Sequence, residues 1–107
     1  MLEITNPQTG KQIEVALNDF DGKIDWYKVQ EAIDQLGSGW RLPTKVELEQ
    51  IHKDLHLKGH GGFKLDPYWS HSDPNEENVW LFMFGDGSSY SVHYERGEGL
   101  VRAVRTI

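Results

Sequence analysis

The sequence predicts an α+β fold in which two helices precede a run of antiparallel strands. Residues 25–55 carry two apolar stripes at helical spacing, and residues 68–107 carry short apolar or alternating segments separated by glycine-containing turns. Helices and strands that occupy separate parts of a chain are typical of the α+β class. A length of 107 residues leaves room for one domain, so we expect a single domain over residues 1–107.

The first element is predicted to be a β-hairpin. Leu2 and Ile4, followed by Ile13, Val15 and Leu17, alternate with polar residues at the period of a half-buried strand. The polar segment between the two groups contains a proline and a glycine, which favour a turn.

The first helix is predicted over Asp25–Leu36. Its apolar residues begin at Trp26 and recur every three or four positions, so Trp26 is expected to be structural and to face the core. Asp25 is placed to cap the N-terminus of the helix, and Gly37 stands where a left-handed residue ends a helix.

The second helix is predicted over Lys45–Leu55, because a capping box marks its start. Thr44 and Glu47 are three residues apart, so the hydroxyl and the carboxylate can each accept a hydrogen bond from an amide at the helix start. Trp40 is expected to fill the core just before this helix. Arg41 is expected to bind backbone carbonyls or a helix carboxylate, such as that of Glu47 or Glu49.

The second half of the chain predicts a long loop and four strands. The loop covers His56–Pro67 and contains three glycines. The strands are predicted at Tyr68–Ser72, Asn78–Phe84, Ser89–Tyr94 and Leu100–Ile107.

Three residues in these strands are predicted to be structural. Trp80 belongs to a strand that is apolar on both faces, so it is expected to lie in the core. Arg102 and Arg105 lie in the last strand and are expected to pair with acidic residues of the helices.

Charge and composition exclude several classes of function. Eleven Lys and Arg residues stand against seventeen Asp and Glu residues, for a net charge of −6, so attraction to nucleic acid phosphates has no electrostatic source. No apolar run approaches the roughly twenty residues that span a bilayer, so we expect no membrane insertion. Residues 1–10 lack the basic and apolar regions of a signal peptide. The absence of cysteine excludes thiol catalysis but does not indicate a cellular compartment.

Several motifs resemble one known family. The sequence GWRLPT at 39–44, with Glu47 and Leu48 after it, resembles the Lcl C-terminal domain family, a C-type-lectin-like group. The resemblance implies a C-type-lectin-like fold, with two helices packed on twisted antiparallel sheets and the chain ends meeting as neighbouring strands. Further matches follow in the same order at Trp26 with Ala32, 68–70, Trp80, 84–87 and 101–105.

This resemblance supplies no catalytic residues, and many members of the family are exported modules thought to bind ligands or partner proteins. The sequence WRLPT at 40–44 also recurs in the formylglycine-generating enzyme group, which is similar in fold. The activity of that group depends on cysteines, and this chain has none, so its chemistry is not expected here.

A non-catalytic binding or interaction module is the function that the sequence favours. Phe, Trp and Tyr make up 11% of the chain, and several lie beside predicted loops, where a ring can stack on a sugar or peptide. The expected ligand is a glycan or a protein surface, bound by His56–Pro67, Tyr68–Asn78 and Glu95–Gly99. Filling the core is the alternative role of the aromatic candidates. The candidate ligand-binding residues are Phe63, Trp69, His71, His93, Tyr94, Glu95 and Arg96.

The alternative function is a histidine-based metal-binding protein or metal-dependent enzyme. His52, His56 and His60 are spaced at i, i+4 and i+8, which would align three imidazoles on one continuous helix for Zn²⁺. Gly59 and Gly61 flank the third histidine and predict that the helix ends before it. Solvated surface histidines are therefore the competing interpretation.

Two acidic clusters are candidates for calcium, which binds clustered carboxylate and amide oxygens. One covers Asp73–Asn78 and the other consists of Asp19 and Asp21. Neither has the signature of the calcium-dependent sugar-binding lectins, and a solvated acidic loop explains the first equally well. No catalytic constellation and no cofactor site are predicted, and the sequence leaves the ligand and the oligomeric state open.

Overall fold

The computed structural model describes residues 2–37, 39–71, 78–93 and 97–107, apart from the side chains of Asn78 and His93. Two helices and antiparallel sheets confirm the predicted α+β class. The helices are α1 (Trp26–Asp34) and α2 (Lys45–Asp54), and a short 3₁₀ helix follows at His56–Lys58. The strands are β1 (Leu2–Thr5), β2 (Gln12–Val15), β3 (Ile24–Asp25), β4 (Pro67–Trp69), β5 (Asn78–Met83), β6 (Ser89–His93), β7 (Glu98–Gly99) and β8 (Val104–Thr106).

The strands form three antiparallel sheets among the described residues. One sheet has the order β1-β2-β8, a second pairs β3 with β7, and a third has the order β4-β5-β6. A parallel bridge between Tyr68 and Leu100 connects β4 to the last segment of the chain. The C-terminal strand therefore lies beside the N-terminal hairpin, and the segment before it passes the third sheet.

The N-terminal hairpin forms as predicted, except at its end. Ile4, Ile13 and Val15 point into the core, as their alternation requires. Leu17 is 65% exposed and lies beyond β2, so its predicted place in the strand pattern is wrong. The backbone N–H of Ala16 still donates to the carbonyl of Ala103 in the register of the β2–β8 pair, but the regular structure of β2 ends at Val15, before Leu17.

The predicted strand over Leu100–Ile107 is wrong for its first half, since regular strand structure is confined to β8. The backbone amides of Ala16 and Phe20 donate to the carbonyls of Ala103 and Val101, both at 2.9 Å. The bond between Phe20 and Val101 is two positions out of the β2–β8 register, so residues 101–103 do not continue the ladder as a regular strand. They are nevertheless fully buried.

Helix α1 is close to its predicted extent, but its cap differs. Asp25 occupies the N-cap position, yet its side chain makes no capping hydrogen bond, which contradicts the predicted role. The helix ends at Asp34, before the partly exposed Leu36, and Gly37 follows with φ of 99°, the left-handed conformation that was predicted.

Helix α2 begins with the predicted capping box. The Thr44 hydroxyl accepts from the Glu47 amide at 3.2 Å, and the Glu47 carboxylate accepts from the Thr44 amide at 2.9 Å. The same fully buried carboxylate binds both ends of the Arg41 guanidinium at 2.6 and 2.8 Å and accepts from the Asn6 amide at 3.0 Å. Glu47 therefore joins the turn of the N-terminal hairpin, the chain before α2 and the start of α2.

The core consists of two clusters of buried apolar residues, which fix the helices against the sheets. Burying each large apolar side chain stabilises the fold by about 1.5–3 kcal/mol. The cluster between α2, β1, β2 and β5 includes Ile13, Leu48, Ile51, Tyr68, Phe82 and Phe84. The cluster between α1, β5 and the last segment includes Val29, Ile33, Trp69, Leu81 and Val101.

The residues predicted to be structural are placed as follows. Trp26 and Trp40 are half-buried against the second cluster, and Arg105 lies 4.7 Å from the centre of the Trp40 ring. Trp80 is only half-buried, which corrects its predicted place in the core, because its ring is covered by the ammonium of Lys45 at 4.2 Å.

The arginines of the last segment have partners other than those predicted. Arg102 pairs with Asp19 in the segment before α1, and Arg105 pairs with Glu14 in β2. The prediction of helix partners is wrong because the C-terminal segment runs beside β2 and its continuation, not beside an acidic helix face. No helix among the described residues has the length and apolar character needed to cross a membrane.

We expect Glu47→Gln to lower the free energy of unfolding by about 2–4 kcal/mol. The buried donors of Arg41 and Asn6 would then face an uncharged amide, which has one acceptor oxygen instead of two. Urea denaturation monitored by circular dichroism measures this loss. Glu49→Gln on the same helix is the matched control, since the Glu49 side chain has no hydrogen bond or ion pair within the described residues. Equal losses for the two variants would contradict the role of Glu47.

The stability of the fold is expected to depend on the ionisation of Glu47. Burial alone would raise the pKa of this carboxyl, but hydrogen bonds from Arg41, Thr44 and Asn6 outweigh it and hold the pKa below its ordinary value. The stabilisation is therefore complete above the unfolded pKa of about 4.3 and is lost as the pH falls through the lower folded pKa.

The measurement compares wild type with Glu47→Gln in urea between pH 7 and pH 3. Since the variant lacks the titrating group, the stability difference between the two proteins should shrink as the pH falls. A difference that stays constant over this range would refute the assignment.

Candidate functional site

A groove of about 590 Å³ lies between the segment 17–21 and the segment 61–64, and Arg102 lines it from below. Volumes of this size are typical of sites for small molecules. We call the segment 17–21 the first wall, the segment 61–64 the second wall and the Arg102 side chain with its partners the floor. The remaining lining residues are Leu17, Asn18, Asp19, Phe20, Asp21, Gly61, Gly62 and Lys64.

The first wall is held in place by the buried end of the chain. The amide of Ala16, just before this wall, and the amide of Phe20 within it donate to the carbonyls of residues 103 and 101. Phe20 also packs against the second core cluster. Although it has no regular secondary structure, this wall is therefore anchored by backbone bonds and by a half-buried ring.

The floor is a network of charged and polar groups that is almost completely removed from water. Arg102 is 2% exposed, and its Nε donates to Oδ1 of Asp19 at 2.6 Å. The second carboxylate oxygen of Asp19 accepts from the hydroxyl of Tyr68 at 2.7 Å. Both oxygens of Asp19 are thus engaged, which offsets the cost of burying the carboxylate.

Tyr68 connects this floor to the second wall. Its hydroxyl accepts a hydrogen bond from the backbone amide of Lys64 at 3.0 Å while it donates to Asp19. Burial raises the pKa of the Tyr68 hydroxyl far above its ordinary value, and the adjacent Asp19 carboxylate raises it further. The hydroxyl therefore keeps its proton and serves as a fixed donor.

The second wall holds the guanidinium of Arg102 from the other side. The Arg102 guanidinium carbon lies 4.1 Å from the centre of the Phe63 ring, a cation–π contact. Gly61 makes room for that ring, because a Cβ there would lie 2.4 Å from a Phe63 ring carbon. Gly61 also has a φ of 91°, a backbone conformation that is unfavourable for any residue with a Cβ.

The structure separates the predicted ligand-binding residues. Phe63 lies next to the groove, where it supports Arg102. Trp69 is fully buried, and its indole N–H donates to the carbonyl of Ile24 at 2.7 Å, so its prediction as a ligand-stacking residue is wrong. His71 is exposed beyond β4. The predicted Tyr94, Glu95 and Arg96, like the side chain of His93, lie outside the described residues.

The three predicted metal histidines do not come together. His52 and His56 stack with ring centres 5.4 Å apart, and both also contact the ring of Phe84. Burial lowers the pKa of His56, and the electrostatic effect of the neighbouring His52 lowers it further. His60 is exposed beyond the 3₁₀ helix, and no group of three metal-ligating side chains exists within the described ranges.

The acidic clusters considered for calcium also have other places. Asp19 is committed to Arg102 and Tyr68, while Asp21 is exposed on the first wall. The cluster at 73–78 lies outside the described side chains.

Most of the groove is not predicted by the sequence. The second wall lies in the predicted loop His56–Pro67, but the first wall has no predicted role beyond the calcium alternative. One feature of the sequence does point to the groove. Arg102 stands between the apolar residues Val101 and Ala103, and a charged residue in an apolar run requires a buried partner.

Comparison with known proteins does not assign the groove. Neither a model of a known protein family nor a curated protein matches this chain. The geometry of the groove is therefore what bears on function.

We expect Asp19→Asn to lower the free energy of unfolding by about 2–4 kcal/mol, because it leaves the buried Arg102 guanidinium without its counter-charge. Thermal and urea denaturation measure the loss. Asp21→Asn is the matched control two residues away on the exposed rim, where a change within about 0.5 kcal/mol is expected. Equal losses of unfolding free energy in the two variants would show that the ion pair of Asp19 with Arg102 does not hold the first wall in place.

Proposed function

We propose that this protein is a non-catalytic binding module that holds a small hydroxylated ligand, of the glycan class, in the groove between its two walls. The observation that carries this proposal is the groove itself, with a volume of about 590 Å³ and a charged floor fixed by buried bonds. A site whose polar groups are already held in place loses little entropy when a ligand binds.

The composition of the walls favours a ligand that is rich in hydroxyl groups. Asn18 and Asp21 on the first wall and Lys64 on the second supply both hydrogen-bond donors and acceptors. Leu17 is largely exposed beside them and offers an apolar surface for the ring face of a sugar. A concave site of this size supports a small ligand over the flat patch of a protein partner.

The floor supports a binding role rather than catalysis. Asp19 accepts hydrogen bonds at both oxygens, and the Tyr68 hydroxyl stays protonated, so neither group is poised to take a proton from a ligand. Arg102 lines the groove and can orient a ligand, whereas Asp19 and Tyr68 hold the guanidinium in place and are poorly suited to acid–base chemistry.

The C-type-lectin-like fold and the relationship to the Lcl C-terminal domain family are part of the same proposal. Support comes from the capping box of Thr44 and Glu47 within the GWRLPT motif. The pairing of β2 with β8, which brings the two terminal regions of the chain together, agrees with what the resemblance implies.

The proposal is tested by nuclear magnetic resonance titration of labelled protein with a panel of neutral, amino and acidic monosaccharides. We expect amide shifts at residues 17–21 and 61–64 with at least one sugar, at millimolar affinity, since single sugars make few contacts. Asn18→Ala should weaken that binding several-fold, because it removes two donors and an acceptor from the rim.

Thr9→Ala is the control, because Thr9 is exposed in the turn of the N-terminal hairpin, outside the residues that line the groove. A full panel that shifts no amide of either wall would overturn the proposed function.

A further inference from the structure

The guanidinium of Arg102 carries one nitrogen, Nη2, that has no hydrogen-bond partner among the described residues. Its Nε donates to Asp19 and its Nη1 to the carbonyl of Ala16 at 3.1 Å, whereas Nη2 donates to no atom of the described residues. In the described part of the chain, no fully buried side-chain nitrogen or oxygen lacks a partner. Nη2 therefore keeps contact with solvent, and the groove is the surface that Arg102 lines.

A nearly buried donor that opens into a cavity indicates a hydrogen-bond acceptor on the ligand. Arg102 is only 2% exposed and is clamped by Asp19 and the Phe63 ring, so Nη2 cannot turn away to bulk water. An acceptor at this position gains a charge-assisted hydrogen bond, and the donor is already oriented.

A second cation stands on the wall beside it. Lys64 lines the groove with an exposed side chain, and none of the three ion pairs found among the described residues includes it. Its backbone amide is fixed to Tyr68, so the side chain leaves the chain at a defined point on the second wall. The floor and the second wall thus each present one cationic group to the groove.

We infer that the ligand of the groove carries a carboxylate beside its hydroxyl groups, as a hexuronic acid does. This inference rests on the proposed function and specifies the class of sugar. Nη2 of Arg102 and the ammonium of Lys64 bind the carboxylate, since a guanidinium and an ammonium are the side chains that hold oxyanions most strongly.

The opposite wall fixes the orientation of such a ligand. Asp21 is exposed there and repels a carboxylate, but it accepts hydrogen bonds from hydroxyl groups, as the side-chain oxygen of Asn18 also does. The acidic group therefore faces the second wall and the floor, and the hydroxyl groups face the first wall. The net charge of −6 gives anions no general attraction, so selectivity depends on these direct contacts.

The test compares three probes of the same ring, namely D-galacturonate, its methyl ester and D-galactose, by magnetic resonance titration at pH 7. We expect galacturonate to bind at least about tenfold more tightly than the two neutral sugars, because only it gains the charge-assisted bonds. The methyl ester separates the effect of charge from the effect of size.

Lys64→Met is the variant for this test, because it removes the ammonium but keeps the stem and the backbone bond to Tyr68. It should weaken galacturonate several-fold and leave galactose unchanged. Lys58→Met is the matched control, an exposed lysine of the 3₁₀ helix that does not line the groove. Arg102→Lys removes Nη2 and is informative only if its denaturation midpoint shows that it folds, so the Lys64 variant carries the test.

The outcomes are distinct. Equal affinities for the three probes with shifts at both walls would overturn the carboxylate inference and leave the proposed function standing. Binding of galacturonate by Lys64→Met at wild-type affinity would likewise overturn the carboxylate inference alone. No shift in either wall with any sugar would overturn the inference together with the proposed function.

Discussion

The buried ion pair between Arg102 and Asp19 is the interaction on which the groove depends. It joins residues 83 positions apart in the sequence and ties the irregular first wall to the buried end of the chain. Burying two charges costs several kcal/mol for each, and the cost is met only when the remaining hydrogen-bonding capacity is used. Here Tyr68 occupies the second oxygen of Asp19, and the Phe63 ring covers the guanidinium. Residues of both walls thus contact the same guanidinium, that of Arg102.

A second buried carboxylate organises the rest of the fold in a similar way. Glu47 caps α2 through the amide of Thr44, binds Arg41 in a bidentate arrangement and accepts from Asn6 in the N-terminal turn. The two acidic residues therefore fix different parts of the molecule. Glu47 sets where the hairpin and α2 meet, and Asp19 holds the loop segments that local structure alone would leave unconstrained.

Local features of the fold could be predicted because their causes lie within a few residues. The capping box at Thr44, the left-handed Gly37 and the turn before β6 each depend on hydrogen bonds or backbone angles inside one short segment. Trp69 could not be placed in this way, since a tryptophan beside a loop is compatible with a surface or a core position. Its burial results from β5, α1 and Gly99 closing around it.

The sequence by itself determined the α+β class, the order of the main elements and the capping box of Thr44 and Glu47, because periodicity and capping act over short separations. Only the tertiary structure decided the partners of Arg102 and the existence of the groove. A charged residue in an apolar run requires a buried counter-charge, but many acidic residues could supply it, and only the path of the folded chain brings Asp19 within hydrogen-bond distance.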